Sequence, residues 1–353
     1  MTKPVISVIM AAYNGAALIR ETLASLSAQT FGDFEVIVVD DRSTDDTLAV
    51  LAAWPDPRVR VIALAENGGP VRARNRAFAE ARGRYIAALD QDDLCRPERF
   101  ARQVAYLDVH PDCVLIGSAT AVLEDVAVGP SAYPVHTTPA LLRWLTMIEN
   151  PLVWSSVMIR AAAARALDPF TRPDILYAED FDLYHRIAAI GEIARLDDDL
   201  LVYRRHAGGA SQRYETIMLA SATRVLAEAY TPVFADKATD AAACVVHHLM
   251  HRQPAADRAT LARLGQALVR LQEAHFMGHA CDANDVRLIR WETARRWSAV
   301  SRASLREGTI TLPDALAVRP PHLGLGHAGI DELVWARLIG RARGLRRRYT
   351  FAA

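Results

Sequence analysis

The chain lacks any stretch of eighteen apolar residues, so no membrane-spanning helix is expected. Its first residues carry no basic segment, apolar run and cleavage site in succession, and a cytoplasmic location is the expectation. Neither sign of charge dominates: 41 Lys and Arg stand against 41 Asp and Glu. Such a balance offers no general field to nucleic acid, and no nucleic-acid partner is expected. Cysteine is scarce and scattered, at Cys95, Cys113, Cys244 and Cys281, with no C-x-x-C pair. That argues against a disulfide scaffold and for a reducing compartment. His247 with His251, and His275 with His279, have the spacing of one helix face. Neither pair encloses the Glu of an H-E-x-x-H zinc motif, and both read as ordinary helix histidines. No internal repeat or low-complexity tract stands out.

What is present is apolar and alternating. The chain has 353 residues, 51% of them hydrophobic, enough for one large core or two smaller ones. "VISVIM" (Val5–Met10) is a continuous apolar run that suits a strand buried on both faces. A helical segment follows, then "FEVIVVD" (Phe34–Asp40) as a second strand. "RSTDDTLAVLAAW" reads as a helix with Ser43 as N-cap and Asp46 completing a capping box. "RVRVIAL" is a third strand, "GGPVRARNRAFAEARG" a glycine turn and helix, and the run from Tyr85 a fourth strand. This alternation predicts βαβ units around a mainly parallel sheet, with ligands beyond the C-terminal strand ends. Further strands are expected at Cys113–Leu123 and Ser155–Arg160, and a helix opening with acids at Ala178–Gly191.

Acids gather where ligands should sit. Asp40 and Asp41 end the second strand; Asp90, Asp92 and Asp93 end the fourth. One Asp per turn is ordinary. Crowded carboxylates at a buried strand end repel one another and call for something positive.

Five blocks then carry a resemblance: "ISVIM" with "AYN", "LSAQTFGDFEVIVVDDRSTDDT", "NGGPVRARNRAF", "GRYIAALDQDD" and "AEDFDLYHRI". Together they resemble family-2 glycosyltransferases over roughly residues 4–206. The resemblance implies a GT-A fold, an α/β Rossmann-like domain with a mainly parallel sheet flanked by helices. It implies an inverting transferase that moves a sugar from a nucleotide-diphosphate donor, UDP-linked by default. The acceptor it implies is a hydroxyl of a glycan or lipid-linked molecule, and the divalent metal is Mn²⁺ or Mg²⁺. Carried onto this sequence, it makes Asp180 the general base and Glu179 its catalytic neighbour. The nucleotide-sugar contacts become Ala11, Tyr13, Asn14, Asp41, Gly69, Arg72, Asn75, Asp90, Gln91 and Asp92. Asp92, Asp93 and His206 become the metal ligands, hard cations preferring oxygen. Asp40 is expected to be structural, and Arg74 and Arg76 to point away from the nucleotide.

The expected organisation is a glycosyltransferase domain over 1–212, with a nucleotide-sugar half to about 110 and an acceptor half from 111. A mostly helical C-terminal region over 213–353 ends in a basic tail. The tail, with Arg337, Arg341, Arg343, Arg346, Arg347 and Arg348 and no acid among them, suits either a solvated terminus or peripheral contact with the cytoplasmic face of a membrane. From another functional class, a sugar-nucleotide-binding regulatory or scaffold protein of the same fold is the alternative; retention of all the expected acids argues against it.

Overall fold

The structure, a computed structural model, describes residues 3–124, 127–130, 134, 136–206, 208–320 and 333–339. It divides into two compact units: residues 1–143 with 150–218, and residues 144–149 with 219–353.

The first unit is built on one nine-stranded sheet. Its strands are β1 (Ile6–Ala12), β2 (Phe34–Asp40), β3 (Val59–Ala63), β4 (Tyr85–Ala88), β5 (Leu94–Cys95), β6 (Cys113–Glu124), β7 (Ala127–Pro130), β8 (Met158–Arg160) and β9 (Glu192–Arg205). The order is β3-β2-β1-β4-β8-β6-β9-β5, with β7 beside β6. β1 pairs in parallel with β2 and with β4, and β2 with β3. The continuous apolar runs form these strands because both faces are covered: β2 is buried along its whole length. Val8, Val36, Leu23 and Phe100 fill one face; Ile9, Ile37, Ala73 and Leu183 fill the other.

The helices of this unit are α1 (Ile19–Ser27), α2 (Thr47–Ala52), α3 (Pro70–Ala79), α4 (Arg99–Val109), α5 (Pro139–Thr146, whose last three residues belong to the second unit), α6 (Ala161–Arg165), α7 (Glu179–Ile187) and α8 (Ala210–Arg213). α3 starts from Gly69, whose φ of 84° an L side chain rarely adopts, followed by Pro70 in the first turn. α2 begins later than the sequence suggests. The Ser43 hydroxyl and N–H are turned back onto Asp40, so Ser43 does not cap the helix. Strand order reverses at β1, since β2 and β3 lie on one side and β4 on the other. The crevice beyond the ends of β1 and β4 is therefore the topological switch point.

The second unit is helical: α9 (Glu215–Phe234, whose first turn belongs to the first unit), α10 (Ala238–Val245), a π-helical turn Val246–Met250, α11 (Arg258–Gly278), α12 (Ala283–Glu307) and α13 (Leu312–Ala317). Residues 144–149 belong to it through their own contacts. Trp144 is buried edge-on to His275, the Tyr230 hydroxyl donates to the Met147 carbonyl, and Arg296 pairs with Glu149 and Glu292. Of the histidine pairs, His275 and His279 stack at 4.7 Å, while the His247 and His251 rings meet edge-on at 5.9 Å.

Candidate active site

The site assembles at the switch point from the loops after β1 and β2, from α3, from the segment after β4 and from the head of α7. β1 leads into Tyr13 and Asn14. Asn14 adopts a positive φ of 49°, and its side-chain oxygen accepts the Thr44 N–H at 2.8 Å. Its own N–H donates to Ser43 Oγ. Asn14 thus ties the loop after β1 to the loop after β2. Tyr13 is partly exposed, and Ala11 lies just inside the strand.

The loop after β2 is held by its acids. Asp40 accepts from Ser43, the structural role expected of it. Asp41 is buried and takes the N–H groups of Gly68 and Gly69 at 2.8 and 2.7 Å, one on each carboxylate oxygen. That fixes the glycine turn ahead of α3. Each oxygen keeps a second lone pair for a ligand donor.

α3 departs from the sequence expectation. Arg72 is exposed and pairs with Glu66. Asn75 turns onto Thr171 instead of toward a nucleotide, donating to its carbonyl and accepting its N–H and hydroxyl. Arg74, expected to point elsewhere, is the residue that reaches the site. One of its terminal nitrogens contacts Asp90 at 2.8 Å and the other contacts Glu179. Its guanidinium lies 5.2 Å from the Trp154 ring. Burial alone would weaken its hold on the proton; the charges of Asp90 and Glu179 more than offset this and raise its pKa. Helical spacing contains the missing signal: Arg74 lies three residues from both Val71 and Ala77, which are buried.

After β4 the acids separate. Asp90 is anchored by its N–H to Ser155 Oγ and faces Arg74. Gln91 turns its amide onto the Tyr13 backbone. Asp92 meets His206 Nε2 at 3.0 Å, both side chains partly exposed. Burial and the neighbouring Asp90 charge push the Asp92 pKa up, with His206 opposing them. Asp93 corrects the expected metal set. It is 1% exposed, and its Oδ1 accepts the Arg204 N–H at 2.9 Å. The pairing of β5 with β9 draws it beneath the strand end. Burial, then Asp92 and Asp90, hold its pKa well above the usual carboxylate range. Arg204 does not point freely at the site either: its guanidinium contacts Glu21 and the Asp92 carbonyl.

Among the described residues no group of three or more His, Cys, Asp and Glu is disposed to hold a metal alone. A metal-bound diphosphate does not need such a cage, since Mg²⁺ commonly takes one or two carboxylates and completes its shell with phosphate and water. Asp92, with His206 beside it at the open strand end, fits that requirement; buried Asp93 does not.

α7 supplies the last segment. Its first turn holds Glu179, Asp180 and Asp182, where the helix dipole favours acids. Asp182 is buried between Arg172 and Arg186 and is structural. Glu179 faces Arg74. Asp180 accepts from Asn150 Nδ2 at 2.9 Å. Burial first, and the Glu179 charge second, raise its pKa to about 6, against the pull of Asn150 and Arg74. Asn150, Trp154, Ser155 and Arg74 are the site residues that sequence reasoning missed.

The sheet gathers its acids at the switch point, and Arg74 joins one of them, Asp90, to the first turn of α7. Residues 7–166 match the family described as "Glycosyl transferase family 2". The amylovoran biosynthesis glycosyltransferase AmsE of Erwinia amylovora is 30% identical over 207 residues, 56% of this chain and 75% of that one. The succinoglycan biosynthesis protein ExoO of Rhizobium meliloti is 50% identical over 105 residues, so the match spans only 30% of that relative's length. The chain belongs to glycosyltransferase family 2. In fold it is similar to S. aureus TarS 1–349 solved in complex with UDP, at a TM-score of 0.52 and 22% identity, over 87% of this chain and 92% of that one.

Proposed function

We propose that this glycosyltransferase inverts the anomeric centre as it moves a sugar from a nucleotide-diphosphate donor, UDP-linked by default, to a hydroxyl of a glycan or lipid-linked acceptor, with Asp180 as general base. The observation that carries this reading is Asp180 itself. It stands at the head of α7, beside the Arg74 bridge to Asp90, with a pKa of about 6 that lets it take a proton near neutrality. An acceptor hydroxyl is a poor nucleophile until its proton leaves, and Asp180 receives it during attack. Asn150 orients the carboxylate.

On the donor side, Tyr13, Asn14 and Asp41 frame the nucleotide, Asp90 faces the donor sugar, and Asp92 with His206 would hold Mn²⁺ or Mg²⁺. The ion would neutralise charge on the leaving diphosphate. Inversion follows when base and leaving group occupy opposite faces of the anomeric carbon. The succinoglycan and amylovoran relatives support a polysaccharide product. The exposed aromatic and apolar face of residues 333–339, ahead of the basic tail, supports peripheral contact of this enzyme with a cytoplasmic membrane face.

The test is release of nucleotide from a panel of nucleotide-diphosphate sugars with Mn²⁺, in wild type and Asp180→Asn. Donor binding should survive in the variant while turnover falls at least about a hundredfold. If Asp180→Asn turns over normally and Glu179→Gln is dead, the base is Glu179. Metal-dependent binding without any turnover in wild type would instead make the chain a binder.

A further inference from the structure

We infer that Arg74 is the positioning residue of the reaction, locking the donor-side carboxylate Asp90 and the base-flanking carboxylate Glu179 into one rigid frame. The inference rests on the reading of Asp180 as base. Its ground is geometric. Of the three arginines of α3, Arg72 faces Glu66 and Arg76 faces Glu80, while Arg74 turns inward. It uses two different terminal nitrogens for two acids that come from different elements, the end of β4 and the head of α7. A planar fork can make both contacts at fixed angles; a lysine, a point charge on a flexible stem, cannot.

The surroundings hold the fork still. Trp154 lies under the guanidinium, and the next residue, Ser155, accepts the Asp90 N–H at 3.0 Å. A single turn, Trp154–Ser156, thus supports both ends of the Arg74–Asp90 pair. Asn75, adjacent to Arg74 on α3, is itself clamped to Thr171 by three hydrogen bonds.

The frame is also incomplete in a telling way. Glu179 Oε2 and Arg74 Nε are buried with no hydrogen-bond partner among the described residues. Buried polar atoms are costly to leave unpaired. Here one acceptor and one donor belong to the same ion pair, and a hydroxyl can satisfy either.

Glu179 in turn adjoins Asp180. The charged groups facing Asp180 are Glu179 on its own helix and Arg74 from α3, with neutral Asn150 beside them. Arg74 therefore favours the charged form of Asp180 and fixes Glu179 beside it. The base is then presented in one orientation, tied through a single guanidinium to the carboxylate on the donor side.

The experiment compares wild type, Arg74→Lys and Arg74→Met in two measurements. In steady-state donor turnover with Mn²⁺, kcat should fall about a hundredfold in the Met variant and at least about tenfold in the Lys variant, with UDP affinity within about threefold of wild type. A purely structural role would lower thermal stability and UDP affinity together, and Lys would restore both. In a ¹³C-carboxyl NMR titration, Asp180 should take up its proton at higher pH in Arg74→Met, because a cation that favours its charged form is gone. Wild-type kcat in Arg74→Lys, or an unchanged titration in Arg74→Met, overturns the inference. A wild type that turns over no nucleotide-diphosphate sugar defeats the functional reading separately, and the titration then decides the role of Arg74.

Discussion

Gln91 grips Tyr13 by its backbone: the Tyr13 N–H donates to Gln91 Oε1 at 2.9 Å, and Gln91 Nε2 donates to the Tyr13 carbonyl at 3.0 Å. The amide completes, across the switch-point crevice, the pairing that β1 and β4 make lower down. The Gln91 carbonyl in turn accepts from the Thr22 hydroxyl on α1. Gly15 leaves room for this amide, since a Cβ there would stand 2.2 Å from Gln91 Oε1. Gln91 therefore shapes the loop that, in the proposed function, frames the nucleotide. Gln91→Ala removes two hydrogen bonds of about 1 kcal/mol each and frees that loop. Donor KM should rise about tenfold, with kcat changing less than about threefold, in steady-state kinetics with the preferred donor. A fall confined to kcat would show that Gln91 serves the chemistry instead.

In the proposed mechanism the pH dependence follows from Asp180 as general base. A general base works ionised, and burial beside Glu179 holds the Asp180 proton up to about pH 6. Turnover should therefore be flat above that value and fall tenfold for each unit below it. Asn150→Ala removes a hydrogen bond that favours the ionised form, so the limb should move to higher pH. A profile of kcat/KM against pH, measured with the metal saturating, checks both statements. An acid limb that stays in place in Asn150→Ala would detach it from Asp180.

The two adjacent acids after β4 should separate under mutation. Asp92, partly exposed against His206, is the metal ligand in the proposed function; Asp93 is buried against the backbone of Arg204. Asp92→Asn should abolish the Mn²⁺ dependence of UDP binding. Asp93→Asn should keep that dependence, because its oxygen can still accept the Arg204 N–H while the cost of a buried charge is removed. Calorimetry of UDP binding with and without Mn²⁺ distinguishes them. Equal loss in both variants would return Asp93 to the metal set.

Much of this architecture is written in local pattern. β1, β2 and β4 are continuous apolar runs because they are covered on both faces, and such runs stand out in any window. The acids stand out because they cluster at strand ends. What the sequence hides is direction. Asn75 and Arg74 are neighbours on one helix, yet about 100° of rotation sends one to Thr171 and the other to Asp90 and Glu179. The burial of Asp93 depends on β9, whose contact residue is 111 positions away. The positive charge that the crowded acids demanded comes in part from Arg74, so a metal is not needed to explain every carboxylate.

The last prediction concerns the C-terminal end. Residues 333–339 are helical and sided. Leu333 and Ala336 are buried, whereas Val334, Trp335, Leu338 and Ile339 are exposed, Trp335 to 65%. The exposed four lie at helical spacing on a single stripe, an apolar face with an aromatic on it. Arg341, Arg343 and Arg346–Arg348 follow in sequence, and lie outside the described residues. Among the described residues no helix is long and apolar enough to cross a membrane. An apolar face followed by arginines fits the surface of a bilayer carrying anionic lipid, where each arginine contributes about 1 kcal/mol and salt weakens the attraction. Sedimentation with vesicles of phosphatidylglycerol and phosphatidylethanolamine should pull down the full chain at low salt and release it at high salt. Truncation after Asp331 should abolish that binding, and Trp335→Ser should weaken it at low salt while leaving the salt dependence in place. Donor turnover in solution should persist in both variants, since neither change replaces a residue of the proposed site. Equal sedimentation of full and truncated chains would remove the membrane from the account.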